Sequence, residues 1–156
     1  MRRHFTVTGF VVREDRTALH WHRLGMWLPP GGHVETDEDP VQAVFREVAE
    51  ETGLSVEILP PGTPFDYPDP PQLPVPVAMA IYDIPGDSHE AAPHQHIDFI
   101  YFTRALTGDP IEGEDRTQWR WFDEPELRSS SELQSDVREL ALAAIEAGRT
   151  GAATRR

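Results

Sequence analysis

The segment GGHVETDEDPVQAVFREVAEETGL, residues 31–54, decides the fold because it joins a glycine pair to a clearly marked helix. Asp39 and Pro40 are a favoured N-cap and a favoured first helical residue. Gln42 stands where a capping-box partner belongs. Gly53 predicts the end of the helix, because glycine adopts the left-handed conformation without a steric penalty. The segment therefore predicts a capped helix that begins at Pro40 and stops at Gly53.

Apolar residues of this helix recur with the spacing of one helical face. They are Val41, Val44, Phe45 and Val48. The spacing predicts that this stripe packs against the rest of the protein.

Three glutamates of the same helix, Glu47, Glu50 and Glu51, lie three and four residues apart, so their carboxylates project from one side. Like charges at this spacing destabilise a helix unless something offsets them. One interpretation is a solvated acidic face. The other is a hard divalent cation, which prefers oxygen ligands.

Two neighbouring features favour the cation. The turn expected at Gly31 and Gly32 allows the backbone to approach a ligand closely and to aim a carbonyl at it. Arg46 can form a forked ion pair with a carboxylate such as Glu38 and hold the loop on the helix.

The spacing of these residues resembles the Nudix box, G-x5-E-x7-R-E-U-x-E-E-x-G-U, where U is an aliphatic residue. Every fixed position is filled, by Gly32, Glu38, Arg46, Glu47, Val48, Glu50, Glu51, Gly53 and Leu54. A long match without a gap is far more specific than a short glycine motif. The resemblance implies a Nudix hydrolase, which cleaves a nucleoside diphosphate linked to another group, X.

The resemblance also implies roles for the box residues. The implied metal ligands are the Gly31 carbonyl and the carboxylates of Glu47, Glu50 and Glu51. Glu47 is either a ligand or the base that deprotonates water. Arg46 orients a glutamate without binding metal, and Glu38 supports it. Hard oxygen donors favour magnesium or manganese over zinc.

Many family members add an acid from a late loop. The candidates here are Glu112, Glu114 and Asp115, and each of them could equally be a solvated loop residue. Asp115 and Glu114 are preferred because they precede the next strand most closely, and Asp115 is taken as the additional metal ligand.

Two histidine pairs are candidates for contacts with a ligand. His20 and His22 lie two apart on a predicted strand, as do His94 and His96 if that segment is extended, so each pair shares a face. Solvated rings are the commoner outcome for such pairs. For His94 and His96, just before an apolar run, the alternative is a contact with substrate phosphates, since histidine titrates near neutral pH.

The proline-rich segment 60–76 predicts a stiff surface loop. Phe65 and Tyr67 give it a second interpretation, as a substrate-facing loop whose rings stack on a base.

The order of predicted elements indicates a mixed sheet between helices. Strands are predicted at 4–13, 17–22, 55–59, 77–84, 97–105 and 119–122, a turn or short helix at 123–127, and a final helix at 133–147. The Nudix resemblance implies the same architecture, an α/β/α sandwich. We expect one domain over 1–147 and a disordered tail at 148–156.

Composition limits the classes of partner. The chain has 156 residues, a net charge of −13 and no cysteine. Such a charge repels nucleic acid and anionic membranes, whereas bound cations can still attract a small nucleotide. No apolar run is long enough to span a bilayer, and the first residues lack the apolar core of a signal peptide. We therefore expect a cytoplasmic protein. The oligomeric state is open, and a homodimer is one possibility.

Three functions remain open from the sequence. The first is a metal-dependent pyrophosphohydrolase that acts on a nucleoside diphosphate linked to X, such as a nucleoside triphosphate. The second is a sensor on the same fold that binds a nucleotide without cleaving it, although a pure binder has no need of crowded carboxylates. The third is an isomerase, which would use the histidine pairs as extra metal ligands.

Overall fold

Strand β1 (Arg3–Arg13) lies at the centre of the sheet because its apolar residues bury side chains on both faces. The computed structural model describes residues 1–106 and 118–153. The other strands in this part of the chain are β2 (Arg16–His22), β3 (Met26–Leu28), β4 (Gly31–His33), β5 (Val56–Leu59), β6 (Ala78–Ile84), β7 (His94–Ala105) and β8 (Trp119–Asp123). The helices are α1 (Pro40–Thr52), α2 (Glu124–Ser129) and α3 (Ser135–Ala153).

The described strands form one mixed sheet, as the sequence predicts. Its main order is β3-β2-β1-β7-β5, while β4 pairs with β1, β6 with β7 and β8 with β2. Strands β1 and β7 are parallel, with Thr6 opposite Asp98, and the other described pairs are antiparallel.

Helices cover both faces of this sheet. Val7 and Val11 of β1 belong to the apolar cluster that includes Val44 and Val48 of α1. Side chains on the other face of β1 and β7 form a second apolar cluster with α3. This cluster contains Phe10, Val12, Phe102, Val137, Ala141, Ala144 and Ile145. Because side chains alternate between the faces of a strand, α1 and α3 pack on opposite sides. The predicted α/β/α sandwich is confirmed.

Helix α1 begins and ends where the sequence predicts. The Asp39 carboxylate accepts hydrogen bonds from the backbone N–H of Val41 (2.8 Å) and Gln42 (2.9 Å). The Gln42 side chain accepts the Asp39 N–H in return (2.9 Å), which completes the capping box. Gly53 ends the helix with a φ of 71°.

The predicted apolar stripe of α1 was wrong at one position. Phe45 is 38 % exposed, whereas Ala43 is fully buried. Helix α1 packs with its Val44–Val48 ridge on β1, and Phe45 lies 100° around the helix from Val44, at the solvent edge. The same rotation brings Glu47 towards the protein, and its side chain is only 14 % exposed.

The predicted boundary of the final helix was also wrong. Helix α3 continues to Ala153, so residues 148–153 are helical rather than part of a disordered tail. Arg104 donates to the Gly148 carbonyl (2.8 Å), and Arg149 pairs with Asp15 (2.8 Å). These contacts hold the segment to the sheet, and residues 154–156 lie outside the described part. No helix of residues 1–106 and 118–153 is long and apolar enough to cross a membrane.

Gly9 allows helix α1 to approach the sheet closely. A Cβ atom at this position would lie 2.8 Å from Cγ2 of Val44 and 3.0 Å from Cγ2 of Val48. We expect Gly9→Ala to lower the free energy of unfolding by about 1–3 kcal/mol through overpacking, as measured by urea denaturation. The Gly9→Ala/Val44→Ala double variant removes a clashing methyl, so its loss should be smaller than the sum of the two single losses. Additive losses would contradict this explanation.

Candidate active site

Strand β4 brings the glycine pair against helix α1. The sequence predicts a turn here, but Gly31 and Gly32 pair with Thr8 and Val7 of β1 and form a short strand. A Cβ atom at Gly32 would overlap the carboxylate of Glu47. A larger residue at this position would therefore displace the Glu47 carboxylate, which lies directly against the backbone.

Arg46 connects three carboxylates of the box. Its guanidinium makes a forked contact with Glu38, with Nε 2.6 Å from Oε1 and Nη2 3.0 Å from Oε2. Its Nη1 also donates to Glu47 (2.8 Å) and Glu50 (3.1 Å), and Nη2 donates to the His33 carbonyl (3.0 Å). The hydrogen bonds from Arg46 lower the pKa of Glu38, which keeps that partner charged. The predicted fork between Arg46 and Glu38 is confirmed.

Glu51 is the most deeply placed acid of the helix. Its Oε2 accepts the backbone N–H of Gly31 (3.0 Å). Burial raises the pKa of Glu51 to about 8; the charges of Glu47 and Glu50 act in the same direction, and the Gly31 hydrogen bond opposes them. Burial also raises the pKa of Glu47, against the opposing effect of Arg46. The positive charge near these two carboxylates is therefore too small to offset the cost of burying them in ionised form.

This shortage fits a bound magnesium or manganese ion. The available donors are hard carboxylate oxygens, which such ions prefer, and a cation would stabilise the ionised form of buried Glu51. The contact described for Gly31 is its N–H on Glu51, so metal ligation by its carbonyl stays a prediction.

Trp119 is a site residue that the sequence did not single out. Its indole Nε1 donates to the backbone carbonyl of Glu51 (3.0 Å) and so fixes the end of α1 to β8. Its ring packs on His20 at 4.8 Å between centroids. The late acids Glu112, Glu114 and Asp115 lie outside the described residues.

A cavity of about 500 Å³ opens beside the box. It is bordered by Gly31, Gly32 and Glu51 from the box, and by residues of several other segments, among them Thr6, His20, His22, His33, Tyr82, Asp87, His96 and Asp98. The box therefore forms one part of the wall of a space large enough for a small-molecule ligand.

His20 and His22 share a face, as predicted, and both border this cavity. Their rings are T-shaped at 5.8 Å. The expectation of two solvated rings was wrong for His20, which is buried under the Trp119 ring. Burial lowers the pKa of His20 to about 4, with the charge of His22 acting in the same direction, so this ring is neutral at physiological pH.

Asp98 is a buried acid in the cavity wall that the sequence analysis missed. It lies within the apolar run of β7 and accepts a hydrogen bond from the Thr6 hydroxyl (2.7 Å). Burial raises the pKa of this carboxyl. The available signal was an acidic residue inside an otherwise apolar strand, which indicates a specific partner.

His94 and His96 lie within β7 rather than in front of it, because the pairing with β6 extends from Ala78 to Ile84 and places Ile84 opposite His94. His94 is only 1 % exposed, and its Nδ1 lies 2.9 Å from the Ala92 carbonyl. Of the two, it is His96 that borders the cavity. The prediction of a ring at the solvent boundary was therefore wrong for His94.

Phe65 and Tyr67 are not brought to this cavity. They are 67 % and 46 % exposed, and their rings stack on each other at 6.4 Å. Gln72 holds the loop closed by donating to the carbonyls of Phe65 (2.8 Å) and Tyr67 (3.2 Å). The described geometry matches the surface-loop interpretation of this segment.

Known proteins with a similar sequence and fold identify the family of this chain. The family model described as "NUDIX domain" matches residues 2–142. A crystal structure of a NUDIX-family hydrolase from Clostridium perfringens superposes with a TM-score of 0.77 and 27 % identity, over 94 % of this chain and 98 % of that one. The chain therefore belongs to the Nudix family.

Curated relatives match over a shorter region. A MutT-like protein of Streptomyces ambofaciens is 51 % identical over 55 residues, which cover 34 % of this chain and 36 % of that protein. An RNA pyrophosphohydrolase of Thioalkalivibrio sulfidiphilus is 40 % identical over 52 residues, which cover 31 % and 30 %. These alignments span about a third of each relative's length.

The burial of Glu51 generates a prediction for the metal-free protein. Because its pKa is about 8 when folded and 4.5 when unfolded, the folded parent loses stability as pH rises from 4.5 to 8. Glu51→Gln keeps an acceptor for the Gly31 N–H but has no charge to bury. In chelator, this variant should melt higher than the parent at pH 8, by about 2–4 °C for each kcal/mol gained, and the gain should shrink towards pH 5.

The control for this measurement is Glu139→Gln, because Glu139 is an exposed acid of α3 that lies outside the box. Its effect should stay within about 0.5 kcal/mol at both pH values, as for an ordinary surface change. A Glu51→Gln variant that melts below the parent at pH 8 would show that the buried carboxylate does not destabilise the metal-free protein.

Proposed function

We propose that this protein hydrolyses the pyrophosphate bond of a nucleoside diphosphate linked to another group, with magnesium or manganese as cofactor. One observation carries the proposal: Arg46 gathers Glu38, Glu47 and Glu50, while the buried Glu51 of the same helix borders the cavity. Membership of the Nudix family supports it, as do the relatives named MutT-like protein and RNA pyrophosphohydrolase.

In this proposal the box residues divide into metal ligands and residues that position them. The ions would be held by the carboxylates of Glu47, Glu50 and Glu51, the Gly31 carbonyl and Asp115. When bound, such ions neutralise developing charge on phosphoryl oxygens and activate water. Glu47 alternatively serves as the base that removes a proton from water, and the raised pKa of its carboxyl favours that task.

Arg46 is a positioning residue in this scheme. It donates to Glu47 and Glu50 while Glu38 holds its other edge, so the two carboxylates are oriented before a substrate arrives. Such preorganisation is effective because no reorganisation is then needed during the reaction.

The substrate would occupy the cavity beyond the box. His96 is the member of its pair that meets the cavity, so we assign the proposed contact with the substrate phosphates to His96 rather than to His94. Phe65 and Tyr67 would stack on a base only if their loop moved to the cavity.

The chemistry of the chain favours a small nucleotide over RNA. A net charge of −13 repels a long polyanion, whereas ions at the box attract a compact phosphate group. We therefore propose nucleoside triphosphates as the first substrates to test, and a cytoplasmic location. Strand β6 exposes Met79 and Ile81, so this strand is the candidate contact for a homodimer.

The test is a substrate panel in magnesium or manganese. It contains nucleoside triphosphates, ADP-ribose, dinucleoside polyphosphates, nucleotide sugars and a 5′-triphosphorylated RNA. We expect turnover of a small nucleotide with release of a phosphate-containing product, loss of activity in chelator, and recovery with magnesium or manganese but not with zinc alone.

Two results would contradict the proposal. Tight binding of one nucleotide without turnover of any would identify a sensor instead. Recovery of activity by zinc alone would mean that the histidines, and not the box, hold the catalytic ion. Faster turnover of the RNA than of every small nucleotide would contradict only the choice of substrate.

A further inference from the structure

Most of the chain's seven histidines gather at one place that the box does not explain. His4 lies 4.7 Å from His94 between ring centroids. His33 lies 4.8 Å from His96 and 4.0 Å from His89. These rings come from β1, β4, β7 and the connection before β7, so the folded sheet rather than local sequence brings them together.

Three ligand atoms at the centre of this group form a compact triangle. The Nε2 atoms of His94 and His96 are 3.1 Å apart, and each lies 3.4 Å from Oδ2 of Asp87. Ligands bound tetrahedrally to zinc at about 2.0–2.1 Å lie about 3.3 Å from one another. The triangle therefore has the size of one face of a zinc coordination tetrahedron.

The surroundings orient these atoms as they would for a metal. His94 Nδ1 lies 2.9 Å from the Ala92 carbonyl, so Nδ1 carries the proton and the Nε2 lone pair points into the triangle. Oδ1 of Asp87 accepts the backbone N–H of His89 (2.8 Å) and Glu90 (2.9 Å). Oδ2 of Asp87 is therefore the oxygen presented to the two rings.

Further ligands stand beside the triangle. Ligand atoms of His4, His94 and His96 all lie within 4.8 Å of one another, and the same holds for His33, Asp87 and His96. His4 is thus grouped with the two histidines of the triangle, and His33 is grouped with Asp87 and His96. His33, Asp87 and His96 also border the cavity. An ion bound here would therefore lie in the wall of the same cavity that the box borders.

We propose that Asp87, His94 and His96 bind one zinc-class divalent ion, separate from the magnesium or manganese ions of the box. Imidazole nitrogens suit zinc, cobalt and nickel, whereas magnesium prefers oxygen donors, so the two sites select different metals. The inference goes beyond the proposed function. It also changes the proposed role of His96. This residue would contact a substrate through the bound ion and not through its own ring nitrogen.

The test uses Co²⁺ as the probe, with untagged full-length protein that has been stripped with chelator. We expect one Co²⁺ per chain, with the strong visible absorption of a tetrahedral site, in the presence of excess magnesium. His96→Gln and Asp87→Asn should each weaken Co²⁺ binding by about 100-fold or more, since even loss of an outer partner costs 10–100-fold. Circular dichroism of each variant shows whether it is folded.

Two variants serve as controls. His22→Gln removes a histidine whose Nδ1 accepts the Leu24 N–H (3.2 Å), and Glu51→Gln removes a box acid. Both should bind Co²⁺ like the parent. Absence of the tetrahedral absorption would overturn the proposal, as would binding that is lost in Glu51→Gln but kept in His96→Gln and Asp87→Asn. No substrate is present, so failure of the proposed hydrolase activity would not affect this result.

Discussion

The structure of the site depends on the contacts of one guanidinium. Arg46 holds Glu38 on one edge and reaches Glu47 and Glu50 from the other. Without this cation, the carboxylates of α1 would repel each other at helical spacing. The same side chain donates to the His33 carbonyl and so links the helix to β4, which carries the glycine pair. Charge balance and backbone position are therefore set by the same residue.

Arg46 does not complete the charge balance. Helix α1 is rotated so that Glu47 and Glu51 face the protein and Phe45 faces solvent. That arrangement exposes an aromatic ring and leaves Glu51 with a pKa of about 8 because of its burial. A helix optimised for stability alone would place these residues the other way round. The conflict between burial and charge is typical of a functional site. The proposed metal ions would restore the balance.

Sequence reasoning succeeded where the determining contacts are local. The caps of α1 and the fork between Arg46 and Glu38 join residues close along the chain, so spacing alone predicts them. It failed where distant strands meet. The histidine group and buried Asp98 depend on the parallel pairing of β1 with β7, which no local pattern encodes. The contact between Trp119 of β8 and the Glu51 carbonyl likewise joins residues that are far apart in sequence.

The central claim is that the carboxylates of α1 hold the catalytic ions, with Glu47 and Glu50 oriented by Arg46. The most direct measurement is Mn²⁺ binding by electron paramagnetic resonance, combined with turnover of the best substrate in the same samples. Glu50→Gln and Glu51→Gln should weaken Mn²⁺ binding and lower turnover by about 10²-fold or more, the usual effect of losing a catalytic charge. Glu38→Gln should lose less of both, because Glu38 supports Arg46. Unchanged Mn²⁺ binding in Glu50→Gln and Glu51→Gln would contradict the account.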